Sequence, residues 1–197
     1  MSSFVAHAVA AYAIKTGAEG PSRRLTAWAL LPVLAFAWLP DGDYALRMLG
    51  FGSPDVRWSH SFVFVLSVWL VYLGAAHLHP WLRHRFGGRV MAATTLAAGL
   101  SHLVMDWLVA SSWGDPLFWP LSTAQHSSPL GIFPWGSSNM DPSRLRTWQN
   151  LAMELGVLLP LAAVAVWHRQ GRLTRARLLI AGVVAMPFAA WAASLPR

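Results

Sequence analysis

The chain has no cysteine and little charge: of its 197 residues none is Cys, and only 12% are Asp, Glu, Lys or Arg. Without cysteine neither a disulfide nor a thiolate metal site can form, so any metal must be held by histidine, carboxylate, amide or backbone oxygen. A soluble domain carries roughly 25% charged residues. The low charge here, with 55% apolar residues and a mean hydropathy of +0.43, excludes an ordinary water-facing surface. Acids are scarcer than bases, 8 against 15, and the formal charge of +7 is almost all arginine. Such an excess serves nucleic acid, anionic lipid or membrane orientation, and placement decides among them. No cleavable signal peptide is expected, because the first apolar run has no basic region before it and no clear small-residue cleavage site after it.

What the chain does have is long apolar runs, at residues 4–14, 25–39, 62–78, 90–110, 151–167 and 178–195. A full span needs about 20 apolar residues, within a range of roughly 17 to 25. The last four runs qualify, and the first two are short enough to be half-buried, tilted or re-entrant. The sequence therefore predicts an all-α, polytopic integral membrane helical bundle, with about four full spans plus two short or tilted N-terminal helices, forming a single domain over residues 1–197. Pro32, Pro160 and Pro187 fall inside these runs and argue for kinks, which membrane helices tolerate when neighbours satisfy the freed carbonyls. The connection at residues 111–147, rich in Gly, Pro, Ser and Trp, is large enough to cap a site.

The connections alternate in charge. Lys15, Arg23 and Arg24 lie in the first, Arg83, Arg85 and Arg89 in the third, and Arg169, Arg172, Arg175 and Arg177 in the fifth. The positive-inside rule makes these cytoplasmic. The second and fourth hold only Arg47, Arg57, Arg144 and Arg146, which places them outside together with both chain ends. The basic excess thus mostly encodes orientation, and nucleic acid is not an expected partner.

That topology uses only Lys and Arg, so the acids and histidines sort independently of it. Asp41, Asp43, Asp55, His60, Asp115, His126 and Asp141 fall in outer connections, and His7, His102, Asp106 and Glu154 sit in helices toward the outer end. His77, His79, His84 and His168 lie at inner ends among arginines, where contact with lipid headgroups accounts for them. Within Ser101-His102-Leu103-Val104-Met105-Asp106 the spacing of four puts His102 and Asp106 on one helical face. A carboxylate at membrane depth costs about 2.5 to 3.5 kcal/mol on insertion scales, so it usually has a partner and a function. The alternative is a His-Asp hydrogen bond that only joins helices. Asn150 and Glu154 repeat the spacing, but there a helix cap and a favourable N-terminal charge are the stronger explanation. Asp41-Gly42-Asp43 ends the second run in a carboxylate pair that turn chemistry alone could supply, and Trp58-Ser59-His60-Ser61 opens the third run.

Together these blocks resemble the YdjM-like family of membrane-bound, metal-dependent hydrolases, which are similar at a distance to zinc-dependent phospholipase C. The matching blocks are the early helix histidine His7, Leu39-Pro40-Asp41-Gly42-Asp43, His60-Ser61, and Ser101-His102 with Asp106. The resemblance implies a multi-metal site of histidine and carboxylate ligands. In the phospholipase relatives a further histidine and a His-x-x-x-Glu pair complete it, and His126 with Asn150 and Glu154 occupies the comparable stretch here.

The expected metal ligands are therefore His7, Asp43, His60, His102 and Asp106, with Asp41, His126 and Glu154 in support, and Asp41 or Asp43 is expected to orient or deprotonate the attacking water. Sulfur-free ligands of this kind suit zinc, from one to three ions, with manganese or iron as alternatives. The expected activity is phospholipase C-like hydrolysis of a phosphoester in a lipid or lipid-linked substrate, at the extracytoplasmic face of the inner membrane. Trp38, Trp58, Trp107, Trp113, Trp119, Trp135 and Trp148 lie toward that face, as an interfacial aromatic belt or a substrate wall. Two other readings stay open: a metal or proton transporter, since intramembrane His, Asp and Glu also mark ion pathways, and a non-catalytic membrane scaffold.

Overall fold

The computed structural model describes residues 3–21, 25–51, 57–109, 114–134 and 143–195, without the side chains at 45, 47 and 48. Arg23, Arg24, Asp55, Trp113, Trp135 and Asp141 lie outside the described residues. The helices are α1 (Phe4–Ala18), α2 (Ala27–Trp38), α3 (Gly42–Met48), α4 (Phe62–Leu78), α5 (Pro80–Phe86), α6 (Arg89–Trp107), α7 (Leu145–Arg169) and α8 (Arg175–Ala193), with a 3-10 turn at Leu39–Asp41. No strand forms among the described residues, where β pairing is confined to isolated bridges between Val109 and Phe133 and between Asp115 and His126. Four helices start on a hydroxyl cap: Ser3, Thr26, Ser61 and Thr174 accept from the N–H groups of Ala6, Ala29, Phe64 and Arg177. Each cap satisfies a donor that the first helical turn leaves without an intrahelical partner.

α6 runs through the middle of the bundle, packed against α1, α2 and α4. At one end Lys15 Nζ of α1 lies 3.9 Å from Met91 Sδ, and at the other His7 Nε2 lies 3.5 Å from Asp106 Oδ1, which fixes α1 and α6 as antiparallel. Gly99 lets α4 approach closely, since a Cβ there would sit 2.8 Å from Val65 Cγ1. α7 packs on α1 and α8. The turn between α7 and α8 uses Gly171 at φ 65°, the left-handed conformation that a glycine adopts without a steric penalty.

The all-helical expectation holds, and the apolar runs fall on α1, α2, α4, α6, α7 and α8. The count of spans is corrected. By length and apolar composition α7 and α8 can cross a membrane, with a third crossing if α4 and α5, bent by 115° at their junction, form one broken span. That is fewer than the expected four. α4 ends after 17 residues at Leu78, just before Pro80, which has no N–H to continue the ladder and restricts the residue before it. α6 spends buried positions on Thr94, Thr95, His102 and Asp106 because it faces protein instead of lipid. α1 and α2, of 15 and 12 residues, rise only about 22 and 18 Å at 1.5 Å per residue, short of the roughly 30 Å hydrocarbon core. The helices continue through Pro32, Pro160 and Pro187.

Candidate metal centre

Four buried groups meet where α2, α4 and α6 end: Asp41, His60, His102 and Asp106, each offering a ligand atom within 4.8 Å of the others. Asp41 Oδ1 is 3.4 Å from His60 Nε2 and 3.7 Å from His102 Nε2. Asp106 Oδ2 is 3.5 and 3.7 Å from the same two nitrogens, which are themselves 3.3 Å apart.

Local structure puts each group there. Pro40 tightens the end of α2 into the 3-10 turn, whose last residue is Asp41. His60 directly precedes the cap of α4, where Ser61 Oγ donates to the Trp58 carbonyl at 2.9 Å and accepts from Phe64 N–H. His102 and Asp106 stand one turn apart on the buried face of α6. The segment 114–134 lies over this end of the bundle, tied down where the Phe62 N–H donates to the Leu117 carbonyl and the Ser128 N–H donates to the Trp107 carbonyl.

The hydrogen bonds set the tautomers. His102 Nδ1 is 2.7 Å from the Ala37 carbonyl, an acceptor only, so Nδ1 carries the proton and the Nε2 lone pair faces the cluster. His60 Nε2 contacts Arg57 Nη2. The guanidinium only donates, so that Nε2 is also an acceptor, leaving Nδ1 to donate toward Ser59 Oγ at 3.3 Å. Two imidazole lone pairs and two carboxylates thus face one another. Neither buried oxygen of Asp41 has a hydrogen-bond partner among the described residues. Facing acceptors of this kind are stable together only around positive charge, and orienting hydrogen bonds from the far ring nitrogen are what metal-ligating histidines characteristically have. The residues present therefore fit a cation held by nitrogen and oxygen.

The other expected site residues take different places. His7 is fully buried beside the group, its ring stacked on His102 with centroids 3.7 Å apart. Asp43 is buried in the first turn of α3 and adds to the negative field around Arg57, but it is Asp41 that joins the four groups. The 3-10 turn sets this choice between two carboxylates two residues apart. Glu154 is taken up elsewhere: Ser3 donates to it from its backbone N–H at 2.8 Å and from its hydroxyl, which ties the start of α1 to α7. His126 pairs through its backbone with Asp115 and packs edge-on against Phe118, centroids 5.1 Å apart. His77, His79, His84 and His168 are all exposed.

Arg57 is the side chain at this site that the sequence did not single out. Besides His60, its Nη2 lies 3.5 Å from Asp106 Oδ2 and 3.9 Å from Asp41 Oδ1, and its Nη1 donates to Asp115 Oδ1 at 2.6 Å. Burial works against its charge, but Asp115, Asp106, Tyr44 and Asp43 outweigh that and hold the guanidinium above its ordinary pKa. Its place in the outer connection just before His60 was the available signal.

A model of the family described as YdjM inner membrane protein matches residues 1–192. No curated protein and no solved structure matches the chain.

Proposed function

The chain belongs to the YdjM inner membrane protein family, and from that premise we propose that it is a membrane-bound, metal-dependent hydrolase acting on a phosphoester of a lipid or lipid-linked substrate at the extracytoplasmic face. The observation that carries this reading is the buried set of Asp41, His60, His102 and Asp106, with imidazole lone pairs turned inward and Asp41 without a hydrogen bond. His60, His102, Asp106 and Asp41 are the proposed ligands, with His7 held against Asp106 and His102 to keep both in place. The proposed ion is zinc, with manganese or iron as alternatives, since the ligands are nitrogen and oxygen without sulfur. Bound there, it would make water a nucleophile near neutral pH, with a pKa of about 7 for zinc, and would stabilise charge on a phosphoryl oxygen.

The chain's own residues then divide the remaining work. A carboxylate oxygen of Asp41 or Asp43 orients the water or takes its proton. Trp58 and Trp119, the second of them in the segment over the site, have ring centroids 6.3 Å apart and suit the interfacial region of a leaflet. Placement on the extracytoplasmic side is supported by the charge alternation. The test is a hydrolysis screen on detergent-solubilised protein, with zinc or manganese added, against phospholipids and water-soluble phosphate mono- and diesters. Metal-dependent release of a phosphorylated headgroup, lost in His102→Ala, supports the reading. Zinc bound at stoichiometric level with no hydrolysis of any phosphoester overturns the substrate class. Reporter fusions after Gly87 and after Gly136 should report opposite compartments, and the same compartment for both overturns the sidedness.

A further inference from the structure

We infer that Arg57 is the residue that receives the anionic oxygen of the substrate, and that its guanidinium and a metal ion compete for the same ligand atoms, so that metal loading and release of its guanidinium are one event. The inference rests on the metal reading given above. An imidazole nitrogen has a single lone pair. His60 Nε2 accepts from Arg57 Nη2, and that lone pair cannot be given to a cation at the same time. The same Nη2 lies 3.5 Å from Asp106 Oδ2 and 3.9 Å from Asp41 Oδ1, so it is set against three of the four groups that would bind the metal. A cation entering the cluster must take these contacts over, and its charge repels the guanidinium besides.

The displaced side chain has a defined place to go. Its other terminal nitrogen is held by Asp115 at 2.6 Å, in the segment 114–134 that lies over the site, and Asp115 is itself held by reciprocal backbone bonds to His126. A turn about that anchor frees Nη2, and Nε has no hydrogen-bond partner, so the arm then offers free donors in the forked geometry that matches two oxygens of a phosphoryl group. Access points the same way. The side chains of Asp41, His60, His102 and Asp106 are at most 1% exposed, and that of Arg57 is 21% exposed, which puts it at the mouth of the site. The ligand class is a phosphoester dianion or monoanion, presented from outside the metal.

The test uses purified full-length protein in detergent and reads zinc binding and inorganic phosphate binding by calorimetry. Arg57→Gln should bind zinc several-fold more tightly than the unmodified chain, because no competitor must leave. Its zinc-loaded form should bind phosphate at least several-fold more weakly. Unchanged or weakened zinc affinity in the variant overturns the competition, and unchanged phosphate affinity overturns the anion role. Phenylglyoxal labelling of the unmodified protein, followed at Arg57 by peptide mass spectrometry, gives the same answer without a variant. Labelling should rise when zinc is added and fall again with phosphate, and labelling that ignores zinc overturns the inference. Failure of the metal reading looks different, since then neither protein binds zinc at all.

Discussion

α6 and α8 are both 19 residues long and are used in opposite ways. α6 buries Met91, Thr94, Thr95, His102 and Asp106 among its neighbours, whereas the buried positions of α8 are Ala181 and Ala192 and its Leu179, Val183 and Met186 are exposed. α8 qualifies as a span and α6 does not. Hydropathy reports the face that meets lipid, and chemistry sits on the face that meets protein. A helix rich in the second is poor in the first, so the span count and the site draw on different residues.

The largest contrast is expected from Asp106→Asn on α6. The substitution keeps size and removes the charge that faces both imidazoles and His7. Changes to groups that only support a ligand already cost about 10 to 100 fold in metal affinity or activity. Metal content by elemental analysis should therefore fall by at least that range, and any hydrolytic activity with it. Full retention of metal would place the ion away from α6.

A smaller effect compares glycines on the two helices. A methyl at Gly99 would lie 2.8 Å from Val65 Cγ1, while one at Gly182 meets nothing within 4 Å. Gly99→Ala should cost about 1 to 3 kcal/mol through overpacking, lower the thermal unfolding midpoint in detergent and reduce metal retention as His102 shifts. Gly182→Ala should be neutral or gain up to about 1 kcal/mol from helix propensity. Equal behaviour of the two would mean that α6 is not the tightly packed element described here.

Glu154→Gln is expected to be smaller still at the metal. The carboxylate accepts from Ser3 with both oxygens, and an amide can accept with only one, at a cost of about 1 to 3 kcal/mol. Unfolding in detergent should occur at lower temperature with metal content unchanged. Loss of metal with the fold intact would return Glu154 to the ligand set that the spacing with Asn150 suggested.

Much of this was legible in the sequence, for reasons that differ by residue. The i, i+4 pair of His102 and Asp106 is readable because both ends of the relation lie on one helix. His60 next to Ser61 is readable because a cap and a site residue are adjacent in the chain. Asp41 against Asp43 was not, since which of two carboxylates turns inward depends on whether the turn is 3-10 or α, and both are compatible with Leu39-Pro40-Asp41-Gly42-Asp43. In the sequence Arg57 stands among the charges that set orientation, and its contacts with Asp106 and Asp115 join residues 49 and 58 positions apart. For Glu154 the sequence offers only the spacing with Asn150, while its partner, Ser3, lies 151 residues away. The run on α6 is not a span because a count of apolar residues does not distinguish a neighbour helix from lipid, and the run on α4 is one only together with α5.

The central claim is that Asp41, His60, His102 and Asp106 hold a metal ion. Its most direct test is elemental analysis of the purified protein after zinc loading and dialysis, run beside His102→Ala and His77→Ala. The account predicts zinc retained by the unmodified protein and by His77→Ala, whose histidine is exposed at the far end of α4, and lost from His102→Ala. Zinc absent from the unmodified protein, or retained by His102→Ala and lost from His77→Ala, would contradict it.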